Sequence, residues 1–143
     1  MIHHTQFIEQ LIKTGKLKLK PQSKGPATFH DPCYLARYNG VIGSPRNVIH
    51  SLGGMELREM PRSRENSFCC GAGSANFWYK VEKKKRVDAI RLEEAQQTGA
   101  SIIATACPFC RSMLEDASVS AGTKDSVSVR DISELVADQI AAS

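Results

Sequence analysis

Five cysteines are the residues in this chain whose type and spacing are best suited to chemistry. They are Cys33, Cys69, Cys70, Cys107 and Cys110; two are adjacent in the stretch ENSFCCGAG, and the last two form CPFC. Cysteine thiolates bind zinc and iron–sulfur clusters, and paired thiols exchange disulfides. Intrachain disulfides cannot pair an odd number of cysteines, and the N-terminus has no secretory signal, so a reducing compartment is expected. There, spaced cysteines favour metal binding or redox chemistry.

The CPFC pair predicts the start of a helix. Cys107 is suited to the N-cap position and Pro108 to the first helical position. The two sulfurs then lie on one face of the first turn, where free backbone N–H groups and the positive end of the helix dipole favour thiolates. By itself this pattern is typical both of a thioredoxin-like redox pair and of half a metal site.

The adjacent pair, Cys69 and Cys70, needs a different backbone. Neighbouring side chains in a strand point to opposite faces, so both sulfurs can approach one centre only where the chain turns sharply. Gly71 and Gly73 permit positive φ and close approach of the backbone, and their N–H groups could donate to sulfur. One zinc ion needs four ligands, which leaves one cysteine over, whereas a multinuclear cluster can use all five.

Short apolar segments alternate with helical patterns along the chain. The predicted strands are residues 27–31, 55–60, 101–106 and 127–131. This alternation is typical of an α/β fold, here a small, mostly parallel four-stranded sheet flanked by helices. Sites in such sheets form beyond the carboxyl ends of the strands. Because Cys33 follows the first predicted strand and Cys107 the third, we expect the site at that edge.

Helix signals complete the prediction. Asp131, with Glu134 three residues later, forms a capping-box pattern before the last helix. Gly99 closes a long pattern that predicts the longest helix, and Pro45 suits a first helical position. Helices are predicted for residues 5–13, 80–98 and 108–117 and after Asp131. A further helix is predicted to start at the N-cap Ser44 and to end at Gly53 and Gly54. A helical turn is predicted after Cys33 and ends at Gly40.

Composition excludes several classes of function. The net charge is +4 and the pI near 8.9, with basic residues scattered apart from Lys83–Arg86, so nucleic acid is not an expected partner. The apolar runs are too short to cross a bilayer directly. Hydrophobic residues make up 41% of the chain, as in an ordinary globular protein. A cytoplasmic location is expected from the missing signal and the odd number of cysteines.

The cysteine spacing carries a family resemblance. Cys33, then CCG from Cys69, then CPFC from Cys107 resembles the cysteine-rich CCG domain of heterodisulfide reductase and of the iron–sulfur subunits of glycolate and lactate oxidases. The phrases HDPCYLARYNG and MPRSRENSFCCGAG resemble the last CCG domain of long (Fe–S) oxidoreductases. The resemblance runs from about His4 to Ala141. It departs at SANFW, where many long relatives have a glycine run followed by arginine.

The resemblance implies a cofactor and partners. In heterodisulfide reductase this motif binds a noncubane 4Fe–4S cluster through all five cysteines, so all five are implied ligands here, with Gly71 and Gly73 wrapping the backbone around the sulfurs. The implied role is that of an iron–sulfur electron-transfer module of an oxidoreductase, which relays electrons or cleaves a disulfide in one-electron steps. Implied partners are other iron–sulfur or flavoprotein subunits and membrane-linked quinone reductase components, so any membrane association would be peripheral and through a partner.

Two other interpretations stay open at this point. One is a zinc-stapled interaction domain without a redox role, and the other is a metal-free dithiol oxidoreductase that uses Cys107 and Cys110.

We expect residues 1–143 to form a single CCG domain, with residues 1–26 as an N-terminal helix and connector. Because the chain has one CCG motif, we expect it to be either a piece of a longer protein or a small subunit. His30 is either a donor to a cluster sulfur or bonded to the backbone, and Phe77 and Trp78 are expected to cover the cluster or fill the core.

Overall fold

Four parallel strands form one sheet in the order β2-β1-β3-β4. The computed structural model describes residues 1–22, 25–73, 76–79 and 86–140. The predicted α/β class is confirmed, and so is the parallel arrangement. The strands are β1 Gly25–Phe29, β2 Met55–Leu57, β3 Ile102–Thr105 and β4 Ser128–Asp131.

The two central strands carry the side chains that anchor both faces of the sheet. Because neighbouring side chains alternate, Ile102 and Ala104 pack on one face and Ile103 on the other. All four residues of β3 are buried, as expected of a strand with helices on both sides. Strand β2 is shorter than predicted; Met60, at the end of the predicted segment, still reaches the core and is 2% exposed.

Five helices surround the sheet in the described part of the chain. Leu135 and Val48 belong to the core on one face, and Leu92 and Leu114 belong to the core on the other. A π-helical turn, Tyr34–Tyr38, follows β1, and Gly40 ends it with a φ of 65°. The helices are α1 His4–Lys13, α2 Gly43–Ser51, α3 Val87–Gln97, α4 Pro108–Ser120 and α5 Ile132–Ala137.

Two helix starts differ from the prediction. Helix α2 begins at Gly43 after Ile42, and the Ser44 hydroxyl bonds Glu9 of α1 instead of capping its own helix. Pro45 still lies in the first turn, where its missing N–H has no intrahelical partner to lose. Arg86 has an extended backbone, so α3 begins at Val87; residues 80–85 of the predicted helix lie outside the described residues. Among the described residues α4, with 13 residues, is the longest helix.

The predicted start of α5 is confirmed. The Asp131 carboxylate accepts from the Ser133 N–H at 2.8 Å, and the Glu134 side chain accepts from the Asp131 N–H at 2.9 Å. Burial raises the pKa of Asp131, but the hydrogen bonds from His4 and Ser133 outweigh it and lower that pKa. The carboxylate is therefore stabilised in its charged form by the folded state.

This arrangement predicts a pH-dependent contribution to stability from Asp131. Its folded pKa lies below the unfolded value of about 3.9, so its contribution is present above that value and disappears as the pH falls through the folded pKa. In Asp131→Asn the cap acceptor remains but the charge is absent. We expect the difference in free energy of unfolding between wild type and Asp131→Asn, measured in urea, to shrink between pH 7 and pH 3. Asp125→Asn, at an exposed site, should show no such trend; a constant difference for Asp131→Asn would contradict the prediction.

Candidate metal centre

The sulfurs lie beyond the carboxyl ends of the two central strands. Cys33 follows β1 by four residues and directly precedes the π-helical turn. Cys107 follows β3 and is the N-cap of α4, with a φ of −152°, and Pro108 is at the first helical position. Both placements were predicted, and both follow from chain direction, because parallel strands end at the same edge.

Three buried groups converge most closely. The ligand atoms of His30, Cys70 and Cys110 all lie within 4.8 Å of one another. Their exposed fractions are 1%, 5% and 3%, respectively. Met113 joins Cys70 and Cys110 in a small apolar cluster, against which Cys107 and Phe77 pack. The structure thus brings one cysteine of the CCG motif together with both cysteines of CPFC.

A cavity next to this cluster includes the first cysteine of the chain. Its volume is about 670 Å³, and its lining includes Cys33, Cys107 and Cys110 together with Pro32 and Tyr34. Four of the five cysteines, Cys33, Cys70, Cys107 and Cys110, are therefore placed at one site by these two sets of contacts.

Cys69 has a contact of its own, with the backbone of Gly71. It is half-buried, and its Sγ accepts a hydrogen bond from the Gly71 N–H at 3.3 Å. Among the described residues it lies outside the closest group of ligand atoms, as do Cys33 and Cys107. The predicted donation from a glycine N–H to sulfur is thus present at Gly71.

The two glycines of the motif differ. Gly71 has a φ of 93°, and a Cβ there would meet the Met113 side chain at 3.2 Å and Val87 at 3.3 Å. Gly73 does not have a positive φ, and a Cβ there would meet nothing within 4 Å. Of the two glycines that permit positive φ, Gly71 therefore adopts it and Gly73 does not.

Hydrogen bonds among the thiols shift their pKa values. The hydrogen bond with Cys110 lowers the pKa of Cys70, burial opposes this, and a hydrogen bond with His30 lowers it further. The hydrogen bond with Cys110 also lowers the pKa of Cys107 to about 6, against burial, with help from the N–H groups at the start of α4. Cys110, between the two sulfurs, keeps its proton, and its pKa is raised. The site therefore favours thiolates at Cys70 and Cys107, the two sulfurs that bond Cys110.

Buried ionic contacts hold the loop that precedes CCG. The Asp31 carboxylate accepts two bonds from Arg46, at 2.8 and 2.9 Å, and a third from the Arg64 N–H at 2.7 Å. Arg46 also pairs with Glu59 at 2.6 Å. Arg64 has a φ of 61°, in the region that favours glycine, and the bond to Asp31 holds it there. Ser67 adds a bond to the Asp31 carbonyl at 3.1 Å.

Arg91 is a residue of the site that the sequence analysis did not identify. It is 0% exposed and bonds the His30 ring, the Arg62 carbonyl and the Glu94 carboxylate. Asp88, Arg91, Leu92 and Ala95 are all buried and share one face of α3. The sequence signal that could have identified Arg91 is its position on the apolar face of its helix. An arginine on that face is buried and needs hydrogen-bond partners inside the protein.

The aromatic residues divide between the site and the surface. Phe77 packs, as expected, against the small apolar cluster of Cys70, Cys110 and Met113. Trp78 is 78% exposed, so the expectation that it covers the cluster or fills the core is wrong. Phe109, inside CPFC, is 60% exposed and lies edge-on to Phe77 at 6.1 Å between ring centroids. Tyr34 and Tyr38 are exposed and stacked at 5.0 Å. We call Tyr34, Tyr38, Phe77, Trp78 and Phe109 the aromatic rim.

The donor set fits a thiophilic metal group. All five cysteines are free, and the buried ones lie close enough to share protons, although close thiolates repel unless a cation or donor compensates them. Soft thiolate ligands select zinc and iron–sulfur clusters over calcium or magnesium. The positions of Cys33, Cys70, Cys107 and Cys110 around one cavity and cluster suit such a group.

Comparisons with known proteins identify the family. A model of the cysteine-rich domain CCG matches residues 27–115, so the chain belongs to the CCG cysteine-rich domain family. The resemblance drawn from the cysteine spacing is thereby confirmed.

Several curated proteins are similar over almost the whole chain. The probable iron-sulfur-binding oxidoreductase FadF of Bacillus subtilis is 39% identical over 96% of the chain. The EtfAB:quinone oxidoreductase of Syntrophomonas wolfei is 34% identical over 94%. One subunit of the dihydromethanophenazine:CoB–CoM heterodisulfide reductase of Methanosarcina barkeri is 37% identical over 100%. The chain spans 20% of each of the first two relatives and 34% of the third.

The contrast between the two glycines predicts different effects of alanine. Gly71→Ala should lower the free energy of unfolding by about 1–3 kcal/mol, because alanine at positive φ is strained and its Cβ crowds Met113. It should also reduce metal bound per chain, because a shift of the strained backbone displaces the N–H of residue 71 that bonds the Cys69 sulfur. Gly73→Ala is the matched control and should change neither urea stability nor metal content. Equal effects of the two substitutions would refute the assignment of the turn to Gly71.

Proposed function

We propose that this chain is an iron–sulfur electron-transfer module of an oxidoreductase and holds a noncubane 4Fe–4S cluster through five cysteines. The observation that carries the proposal is the convergence of Cys70 and Cys110 with Cys107 and Cys33 at the carboxyl edge of the sheet. Membership of the CCG family supports it, as do relatives named iron–sulfur-binding oxidoreductase and heterodisulfide reductase.

The five ligands would come from three segments of the chain. Cys33 would enter from the end of β1, Cys69 and Cys70 from the turn made by Gly71, and Cys107 and Cys110 from the first turn of α4. When bound, the cluster supplies transfer of single electrons. The protein's part is to hold the thiolates, to donate hydrogen bonds to them and to exclude water with Met113 and Phe77.

Zinc is the competing cofactor, and a metal-free dithiol is the competing chemistry. A structural zinc site uses four ligands. The low pKa of Cys107, beside Cys110, is also what a reactive dithiol would show. Zinc bound by Cys33, Cys70, Cys107 and Cys110 would leave Cys69 without a role, and a dithiol would leave Cys33 and the adjacent pair of the CCG motif without one, so both rank below the cluster.

Metal analysis of cysteine variants tests the cofactor. Protein purified without oxygen should be brown and contain iron and acid-labile sulfide in equal amounts. Each single substitution, Cys33→Ser, Cys69→Ser, Cys70→Ser, Cys107→Ser and Cys110→Ser, should lower iron and sulfide at least several-fold, because a five-ligand site has no spare thiolate. Circular dichroism shows whether each variant is folded.

The outcomes separate the three interpretations. One zinc per chain, retained in full by at least one of the five variants, would establish the four-ligand staple and overturn the cluster. Disulfide reductase activity that survives chelation and needs only Cys107 and Cys110 would establish the dithiol. Iron that depends on all five cysteines, with an electron paramagnetic resonance signal after one-electron oxidation or reduction, is the result expected.

We further propose that the aromatic rim is where a redox partner docks. Tyr34, Trp78 and Phe109 are 74%, 78% and 60% exposed, and exposed aromatic residues are enriched at protein interfaces. Tyr34 lines the cavity that holds Cys33 and Cys107, and Phe77 connects Phe109 to the sulfur cluster. A partner seated here would come close to the metal centre. The candidate partners are iron–sulfur or flavoprotein subunits. They include an electron donor such as EtfAB, which appears in the name of one relative, and a quinone-reducing component.

Phe109→Ser tests this docking surface. We expect the rate at which cluster-loaded protein oxidises reduced EtfAB from Syntrophomonas wolfei to fall about tenfold, because a central aromatic contact contributes roughly 1–2 kcal/mol to an interface. Val119→Ser, at the other end of α4 and 58% exposed, is the matched control and should leave the rate unchanged. Oxidation of a small reductant, the methyl viologen radical, should be the same in all three proteins. Equal loss with Val119→Ser, or loss with the small reductant too, would contradict the assignment.

The wider setting of the chain is also proposed. Residues 1–143 would act as one CCG domain, in which residues 1–26 contribute α1 and a connector that lead into the family core. No helix among the described residues is long and apolar enough to cross a membrane. A cytoplasmic module that reaches the membrane only through a quinone-reducing partner fits the name of the EtfAB:quinone relative.

A further inference from the structure

His30 lies among the converging sulfurs and could act there in two ways. It could be a metal ligand, because its ring nitrogen lies within 4.8 Å of the Cys70 and Cys110 sulfurs. It could instead donate a hydrogen bond to one of those sulfurs and leave the metal to the cysteines. The partners of its two ring nitrogens decide between these roles.

The first nitrogen, Nδ1, has a defined partner. It lies 2.9 Å from Nε of Arg91, and both side chains are buried, at 1% and 0% exposed. A guanidinium nitrogen carries hydrogens and no available lone pair, so Arg91 can only donate. Nδ1 must therefore accept, which means that it carries no hydrogen. An imidazolium, which has hydrogens on both nitrogens, does not fit this contact.

The second nitrogen, Nε2, then carries the hydrogen. Because Arg91 occupies Nδ1, Nε2 is the nitrogen left for a bond to Cys70, whose sulfur lies within 4.8 Å of a ring nitrogen of His30. A protonated Nε2 has no lone pair in the ring plane to give to a metal. With Arg91 in place, the ring thus donates to the Cys70 sulfur and is prevented from acting as a ligand.

Arg91 is itself held by several bonds. Its Nη1 donates to the Arg62 carbonyl at 2.8 Å and to Glu94 at 2.7 Å, and its Nη2 donates to the Ser67 hydroxyl at 3.3 Å. The Ser67 hydroxyl lies 3.1 Å from the Asp31 carbonyl, next to His30 in the chain. The guanidinium cannot rotate to release Nδ1 without breaking these contacts.

We propose that Arg91 fixes the Nε2–H tautomer of His30, so that His30 donates to the Cys70 sulfur and tunes the reduction potential of the metal centre without binding it. The second part rests on the proposed function, because it needs a cluster at Cys70. Hydrogen bonds to cluster sulfurs stabilise the reduced, more negative state and raise the potential. His30 and Arg91 are thus positioning residues, and the cysteines remain the ligands.

The tautomer is tested in metal-free, reduced protein labelled with ¹⁵N-histidine. The His30 resonances, assigned by their absence from His30→Gln, should show a hydrogen on Nε2 and none on Nδ1. A hydrogen on Nδ1 would overturn the proposal. This measurement needs no cluster, so it remains decisive even if the iron analysis shows that the proposed function is wrong.

The tuning is tested in cluster-loaded protein by redox titration followed by electron paramagnetic resonance. His30→Leu removes the donor and should keep full iron and sulfide while its potential becomes more negative. His30→Gln places an amide N–H near the position of Nε2 and should restore most of the shift. The exposed His50→Leu is the matched control and should leave the potential unchanged. Loss of iron from folded His30→Leu would make His30 a ligand, and unchanged potentials would remove its tuning role; either result overturns the proposal.

A spectroscopic measurement keeps the test independent of folding. If His30→Leu does not fold, pulsed electron paramagnetic resonance of wild-type protein labelled with ¹⁵N-histidine distinguishes the two roles. Weak ¹⁵N coupling, as for a nitrogen hydrogen-bonded to sulfur, is expected. Strong coupling, as for a nitrogen bound directly to iron, would overturn the proposal.

Discussion

The charged group of Arg91, buried away from water, connects two of the three segments that carry the cysteines. Its guanidinium bonds His30 at the end of β1 and both Arg62 and Ser67 in the loop before CCG. Burial lowers the pKa of Arg91, and the Glu94 carboxylate opposes that effect. A buried charge is tolerated only when it is paired and fully hydrogen-bonded, so each of these partners is needed by the others. The relative position of Cys33 and Cys70 depends on this group of contacts.

The need for such contacts follows from the local backbone. Between β2 and α3 the described residues contain only two short 3-10 turns, Arg64–Asn66 and Asn76–Trp78. A segment without strand or helix bonds must be positioned by side chains. The Asp31–Arg46 pair supplies a second anchor, and its bond to the Arg64 N–H holds a backbone conformation that a non-glycine residue adopts only with support. Two buried arginines thus replace the regular structure that the loop lacks.

Sequence reasoning succeeded where local pattern and chain direction decide the outcome. The four strands, the cap at Asp131 and the helix start at Cys107 depend on nearby residues, and parallel order places Cys33 and Cys107 at one edge. It failed where a tertiary contact overrides a local preference. Ser44 has the right type for a cap, but it bonds Glu9 of another helix. The role of Arg91 needs knowledge of which side chains meet it, and spacing alone does not supply that.

The donors around the sulfurs come from unrelated parts of the chain. The Cys69 sulfur accepts a hydrogen bond from the Gly71 N–H, and the Cys70 sulfur accepts hydrogen bonds from His30 and the Ala72 N–H. The Cys107 sulfur accepts hydrogen bonds from the N–H groups of Phe109 and Cys110. A redox dithiol needs a single activated thiolate, for which the start of α4 would suffice. The donors at Cys70 stabilise negative charge on a sulfur outside the CPFC pair. Local compensation of several sulfur anions is what a polynuclear thiolate centre requires, because these anions would otherwise repel one another at close range.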